Sequence, residues 1–340
     1  MIEITAHPDR ETWGRFVSSH PRGNIFQSPE MAEVYSNTKN YSPLTLAAVE
    51  TDSGHIVALL NAAIIHEVNR LMAPLTSRSI IIGGPLYADT PQGRDAVACL
   101  LDYYARDCAK KAIYTEIRNL WDTDRNVFVA DYDYEEHLNY LVDLRLGKET
   151  LWNNLSKARR YGISRSRKSG VTIEEIRGAD ELPVLYRLLK DTYSRARLPL
   201  ADKSLFDSVY SCLAPKNMAK FYFARHEGKE IGAIAFLLYN DRIYDWYSSS
   251  LKEYSKMYPS DSLVWQGMEW GSENGYSVFD FMGAGKPDEK YGVREFKRQF
   301  GGTLVNFGRY KKVHSPVKNW IAQRGLTVYK KLGSHVRLRN

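Results

Sequence analysis

The chain has 340 residues, 44% of them hydrophobic, 12% aromatic and 26% charged, with a formal charge of +7. That composition excludes a disordered or fibrous chain, and the length is enough for two domains of roughly 150 residues each. Three cysteines, Cys99, Cys108 and Cys212, with no C-x-x-C pair, exclude a disulfide scaffold and a structural zinc site.

The first segment, Met1 to Trp13, carries acids and a proline where a secretory leader would need a basic end and an apolar stretch, so a cytoplasmic chain is expected. Leu44 to Glu50 and Ile56 to Ile65 read as two strands joined by a turn at Thr51 to Gly54. Ile56 to Ile65 is also the longest apolar run; Asn61 interrupts it, and it falls short of the ~20 residues a membrane span needs. A strand at Ser79 to Ile82, a helix from about Gln92 to Lys110 and a strand at Ala112 to Arg118 follow. The same plan then recurs. After a basic helix over Leu151 to Ser169 and another over Leu182 to Arg195 come a hairpin, Phe221 to His226 and Ile231 to Tyr239, and a strand at Arg242 to Ser249. A helix from about Ser260 to Asn274 and a strand at Tyr276 to Phe281 complete it. Two copies of one α/β unit account for this order, with domains expected at 1–146 and 147–340.

Charge is uneven. Phe296 to Asn340 holds eleven Lys or Arg and no acid, so the rest of the chain nets −4, and Lys157 to Gly170 adds six cations without an acid. Such blocks suit phosphates on a nucleic acid, a nucleotide-linked substrate or a membrane surface. Ser315 to Leu332 places Val317, Trp320, Ile321, Leu326 and Val328 among basic residues, which fits a helix lying on acidic lipid, with packing on the second domain as the plainer reading.

The order helix, hairpin, strand, helix, strand resembles the GNAT fold, in which two neighbouring parallel strands splay into a cleft. Here those strands are Arg242 to Ser249 and Tyr276 to Phe281. An acyl-CoA transferase of that fold follows the first of them with a glycine-bearing loop around the pyrophosphate. The corresponding Tyr254 to Asp261 has no glycine, so coenzyme A is not the expected donor. G-A-G-K at 283–286 lacks the first glycine and the Ser or Thr of a phosphate loop, and no H-E-x-x-H or G-x-S-x-G occurs, so no metal site is expected.

From Phe279 to Gly302 the chain reads F-D-F-M-G-A-G-K-P-D-E-K-Y-G-V-R-E-F-K-R-Q-F-G-G. With Gly23 to Val34, Gly84 to Asp89, Tyr140 to Leu144 and Leu155 to Val171 in the same order, it resembles the Fem family of aminoacyl-tRNA-dependent peptidyltransferases of cell-wall synthesis. The resemblance implies tandem GNAT-like domains, an α/β (α+β) fold, and transfer of an amino acid from aminoacyl-tRNA to the free amine of a peptidoglycan-type precursor. No cofactor is implied, because the ester is already activated. Lys297 would stabilise the tetrahedral oxyanion, and Phe296 and Arg298 would meet the tRNA acceptor end. Arg195 and Lys39 would hold the acceptor's phosphates, Lys39 lying one helical turn beyond Tyr35, where the family has a lysine. Tyr247 and Asp280 could orient the incoming amine, and Glu116 stands near a family carboxylate sometimes considered a base, with structural hydrogen bonding as the competing role for all three. A monomer touching tRNA and the precursor is expected, its basic tail meeting either tRNA phosphates or the inner membrane surface. Two alternatives remain open: an acyl-CoA N-acyltransferase acting on a sugar- or lipid-linked amine, and a non-catalytic module that holds RNA or an anionic membrane.

Overall fold

The computed structural model describes residues 1–66, 77–123 and 132–320. In chain order its elements are β1 (Ile2–Thr5), α1 (Arg10–Ser19), α2 (Pro29–Ser36), β2 (Tyr41–Glu50), β3 (Ile56–Ile65), β4 (Arg78–Ile82), β5 (Leu86–Tyr87), α3 (Pro91–Cys108), β6 (Tyr114–Arg118) and β7 (Asp133–Glu135). Then come β8 (Leu138–Asp143), α4 (Gly147–Asn154), α5 (Lys157–Lys168), β9 (Thr172–Glu175), α6 (Leu182–Ala196), α7 (Lys203–Leu213), β10 (Ala219–His226), β11 (Lys229–Tyr239) and β12 (Arg242–Ser250). The last are α8 (Pro259–Glu273), β13 (Val278–Asp280), α9 (Gly292–Arg298), β14 (Thr303–Asn306) and β15 (Arg309–Val313).

Two compact units result. Unit 1 takes Met1–Ser36, Asn40–Glu135 and the chain from Gly308; unit 2 takes Asn37–Lys39 and Glu136–Phe307. This division differs from a cut at 146/147, and the reason is strand pairing. Unit 1's sheet runs β1-β2-β3-β4-β6-β15-β7, with β5 beside β3, and unit 2's runs β9-β10-β11-β12-β13-β8-β14. The two orders are the same path. In each, the sixth strand comes from the chain that has just completed the other sheet's edge strand: β8 follows β7 after two residues, and β15 follows β14 after two.

Local sequence explains the elements. In α3, Thr90 accepts a hydrogen bond from the Gly93 amide, Pro91 opens the helix, and Val97, Leu100, Leu101, Tyr104 and Cys108 form its buried stripe. β3 is buried along all but its last residue, Asn61 included, as a mostly apolar strand with neighbours on both sides should be. The expected basic helix over Leu151 to Ser169 is two helices, because Leu155 is extended and the Ser156 hydroxyl caps a new start by accepting from the Arg159 amide. Unit 2's core gathers Phe236, Met268, Phe279, Phe281 and Phe300 between its sheet and α8. Of the tail read as a lipid-facing helix, residues from 321 onward, including Ile321, Leu326 and Val328, lie outside the described residues. Among the described residues no helix is long and apolar enough to cross a membrane.

Candidate active site at the split between two parallel strands

β12 and β13 pair in parallel only as far as Arg242↔Val278, Ile243↔Phe279 and Tyr244↔Asp280. Beyond that register β12 continues to Ser250 while the other strand ends, so the sheet opens. At the same level β12 bulges against β11. Ala235 faces Tyr247 and Phe236 faces Asp245, which leaves Trp246 without a partner. A bulge of this kind re-aims side chains beside an opening.

The opposite lip is the glycine-rich turn after β13. Asp280 is fully buried: its Oδ1 accepts from the Met282 amide (2.8 Å) and from Asn139 Nδ2 (2.7 Å), and its Oδ2 accepts from Arg242 Nη1 (3.2 Å). Asn139 Oδ1 in turn accepts from the Gly283 amide at 2.8 Å. Met282 has φ 60 and Gly283 φ 128, a backbone path that glycine adopts without the penalty of a side chain. This wiring turns the carbonyls of Phe281 and Gly283 toward one point. Lys297, on α9, occupies it, its Nζ donating to Phe281 O (2.6 Å) and Gly283 O (2.7 Å). Buried Phe300 anchors the end of that helix in the core.

Burial pushes the Lys297 ammonium below its ordinary range, although the carboxylates of Asp245 and Asp280 oppose the shift. Asp245 is pushed up to about 6 by burial, with Lys297 pulling it down and Asp280 pushing it further up. No described residue donates a hydrogen bond to the Asp245 carboxylate, which is 9% exposed. Tyr193 on α6 is raised by burial and by the charges of Asp245 and Tyr291, so these groups share one electrostatic neighbourhood. Tyr193, Phe206 and Trp246 surround the Tyr247 ring at centroid distances of 5.5, 4.9 and 4.6 Å. The arrangement holds a cation and an under-solvated carboxylate against an aromatic wall, which suits charge development on a carbonyl oxygen and proton transfer next to it.

The expected site residues fall in different places. Lys297 and Asp280 meet at the split, and Tyr247 lies farther along β12, packed on Tyr193 and Phe206. Asp280, however, has no exposed surface and three donors of its own, so it builds the turn and does not face a substrate. Phe296 has the Arg159 guanidinium over its ring at 4.8 Å and the Phe300 ring at 5.1 Å. Arg298 is exposed and paired with Glu295. Arg195, in the last turn of α6, donates to Ser250 O (2.9 Å) at the far end of β12 and to Asp191. Lys39 is not one helical turn beyond Tyr35, since α2 stops at Ser36; its amide donates to Ser204 Oγ at 2.9 Å in unit 2. Glu116 belongs to unit 1, on β6. Burial would raise its pKa, but Arg118 and Arg309, each paired with it, and Lys311 hold it below the usual carboxylate range. A carboxylate so neutralised is a poor base. Asp245, the group best poised for proton transfer, was not among the expected residues. The signal that marks it is an acid flanked by apolar and aromatic residues in the strand segment I-Y-D-W-Y.

The segment where a GNAT acyl-CoA enzyme cradles pyrophosphate is closed. Tyr258 precedes α8 at φ 53, Pro259 brings no N–H, and the amides of Asp261 and Ser262 donate to Tyr258 O (3.2 and 3.4 Å). Buried Asp261 accepts from Arg159 Nη1 (2.6 Å) and is pushed up to about 6 by burial. α5 is packed over it so tightly that a Cβ at Gly162 would lie 2.0 Å from Asp261 Oδ2. A cavity of about 380 Å³ in unit 2 is lined by Lys148, Glu149, Trp152, Arg167, Trp265 and Glu269 and shares no residue with the Lys297 cluster. No group of three or more His, Cys, Asp or Glu among the described residues is placed to hold a metal ion.

Two sheets of one strand order, each with a parallel pair at its centre, define a tandem GNAT-like α/β protein. Residues 153–298 match the family model of an acetyltransferase (GNAT) domain, and no curated protein matches the sequence. Among solved structures, the crystal structure of FemX has the same fold, with a TM-score of 0.70 and 17% identity over 94% of this chain and 100% of that one. L-PGS from Bacillus licheniformis follows at 0.58 and 16%, over 95% and 98% of the two chains. A tandem GNAT protein from the clavulanic acid biosynthesis pathway gives 0.56 and 10%, over 93% and 99%. The architecture expected from the Fem resemblance is therefore the one present.

Proposed function

We propose that this chain is an aminoacyltransferase that moves an amino acid from the 3′ ester of an aminoacyl-tRNA to the free amine of a cell-envelope precursor. The observation that carries this reading is the Lys297 ammonium fixed by two main-chain carbonyls at the strand split, with the Asp245 carboxylate in its field. The acceptor amine attacks the ester carbonyl, and the C–N bond forms as negative charge gathers on the carbonyl oxygen. Lys297 stabilises that charge at no reorganisation cost, because its position is already set. Asp245 takes the proton shed by the amine and returns it to the ribose oxygen as the C–O bond breaks. Tyr247 and its aromatic neighbours form the wall against which the acceptor is oriented, and Arg195 and Lys39 offer cations for its phosphates. The likeness to FemX and L-PGS supports the fold this chemistry uses.

The acyl-CoA reading draws support from the GNAT domain match. Against it stands the segment before α8, where the amides are engaged and a buried carboxylate replaces the nitrogen cradle a pyrophosphate requires. The test is incubation of the purified chain with charged tRNA pools and candidate amine precursors, read by mass spectrometry. An added aminoacyl residue on the precursor supports the proposal, and acylation from acyl-CoA that ignores tRNA overturns it.

A further inference from the structure

Helix α5 buries Gly162, Ile163 and Ser166 against unit 2 and turns another face outward. Its six cations divide into two groups. Arg159 is committed to Asp261 and Gln299, Arg160 to the carbonyls of Asn153 and Leu155, and Arg167 to Glu269. Lys157, Arg165 and Lys168 make no ion pair or hydrogen bond with any described residue, and all three are exposed. With Tyr161, 61% exposed, they sit at positions i, i+4, i+8 and i+11, which an α-helix gathers into one stripe. The ring of Tyr161 is steadied edge-on by Tyr258 at 5.8 Å.

The stripe begins beside the catalytic helix. The Ser156 amide donates to Gln299 O (2.9 Å), and the Arg159 guanidinium lies over Phe296, so the N-terminal end of α5 is fastened to α9, which carries Lys297. From Lys157 to Lys168 the stripe extends about 16 Å at 1.5 Å per residue, room for about five nucleotides at the ~3.4 Å axial rise of a helical strand. It carries no exposed Leu, Ile, Val or Phe, so it lacks the apolar face an interfacial membrane helix inserts. Unpaired cations with one aromatic between them match a nucleic-acid strand: phosphates for the former, a base for the latter.

We infer that the outward stripe of α5 (Lys157, Tyr161, Arg165 and Lys168) is the surface along which the tRNA lies just before its aminoacylated 3′ end reaches Lys297. This rests on the reading of the donor as an aminoacyl-tRNA. The test uses the full chain and a fluorescently labelled, uncharged tRNA transcript, with anisotropy titrations over a series of KCl concentrations. The variant K157A/R165A/K168A is expected to bind at least about tenfold more weakly at low salt, with the slope of log affinity against log salt reduced by about 2. Tyr161→Ala weakens binding with the slope unchanged. K110A/K216A, which removes exposed charge elsewhere, serves as the control. Affinity and slope equal to wild type in the triple variant overturn the inference, even where the wild type transfers amino acids. Weakened RNA binding in the triple variant, from a wild type that shows no transfer, leaves the surface standing and removes the proposed activity. Binding to vesicles of anionic phospholipid that the triple variant loses, with no RNA binding by the wild type, overturns the inference in favour of lipid.

Discussion

Replacing Asp245 by Asn separates stability from activity, and the magnitude follows from the site. A carboxyl raised from 3.8 to about 6 binds its proton more tightly in the folded than in the unfolded chain. The stability this contributes is complete below pH 3.8 and is lost as pH rises through 6, about 3 kcal/mol in all. Asn cannot ionise, so the variant escapes that loss. Its advantage over wild type therefore grows with pH, and about 1.4 kcal/mol of the growth falls between pH 5 and pH 8. The attraction of Lys297 is already part of that shift, so it adds no separate pH dependence to the gap. Urea unfolding of both proteins at pH 5 and pH 8 measures this, since titrations not coupled to Asp245 cancel in the difference. Transfer activity of the same variant should fall by about 10²- to 10⁴-fold, the usual worth of a positioned proton acceptor. A stability gap that is flat with pH, or one that favours wild type increasingly toward pH 8, refutes the placement of Asp245 as a buried, under-solvated carboxylate.

Two further outcomes follow from the same geometry. In wild type, kcat/KM for transfer should rise with pH through about 6 as Asp245 ionises, and Asp245→Asn should lack that limb; a profile unchanged by the substitution counts against Asp245 as the base. Gly283→Ala places a Cβ at φ 128 and 3.2 Å from His137 Nε2, so it should cost about 1–3 kcal/mol in unfolding experiments and displace a carbonyl that holds Lys297. Wild-type stability in that variant would show the turn to be unstrained.

Much of this architecture can be read from periodicity. The strand and helix patterns of the two halves are alike and put the hairpins where they fall; the splayed strands and the F-K segment fall where the GNAT and Fem resemblances imply. The exchange of β8 and β15 was hidden because both are short, six and five residues, and their partners are distant in sequence. Local pattern reports which residues can form a strand and carries nothing about which sheet receives it. Asp245 escaped notice for a related reason: its altered proton affinity arises from burial and from Lys297, 52 residues away, and the bulge that aims it depends on register with β11. For Asp280, on a splayed strand, orienting the amine and structural hydrogen bonding were both open, and what decides for the latter lies outside its own strand. Its partners, Asn139 and Arg242, come from two other strands. Lys39 was misplaced by extending α2 a turn past its actual end at Ser36.

The most direct measurement is a single-turnover transfer assay comparing wild type with Lys297→Met, using aminoacyl-tRNA and an amine-bearing envelope precursor, with circular dichroism to verify that the variant is folded. Wild type is expected to form the aminoacylated precursor, and the variant to form it at least about 10²-fold more slowly because the oxyanion loses its fixed cation. A folded Lys297→Met protein that transfers at the wild-type rate would contradict the account.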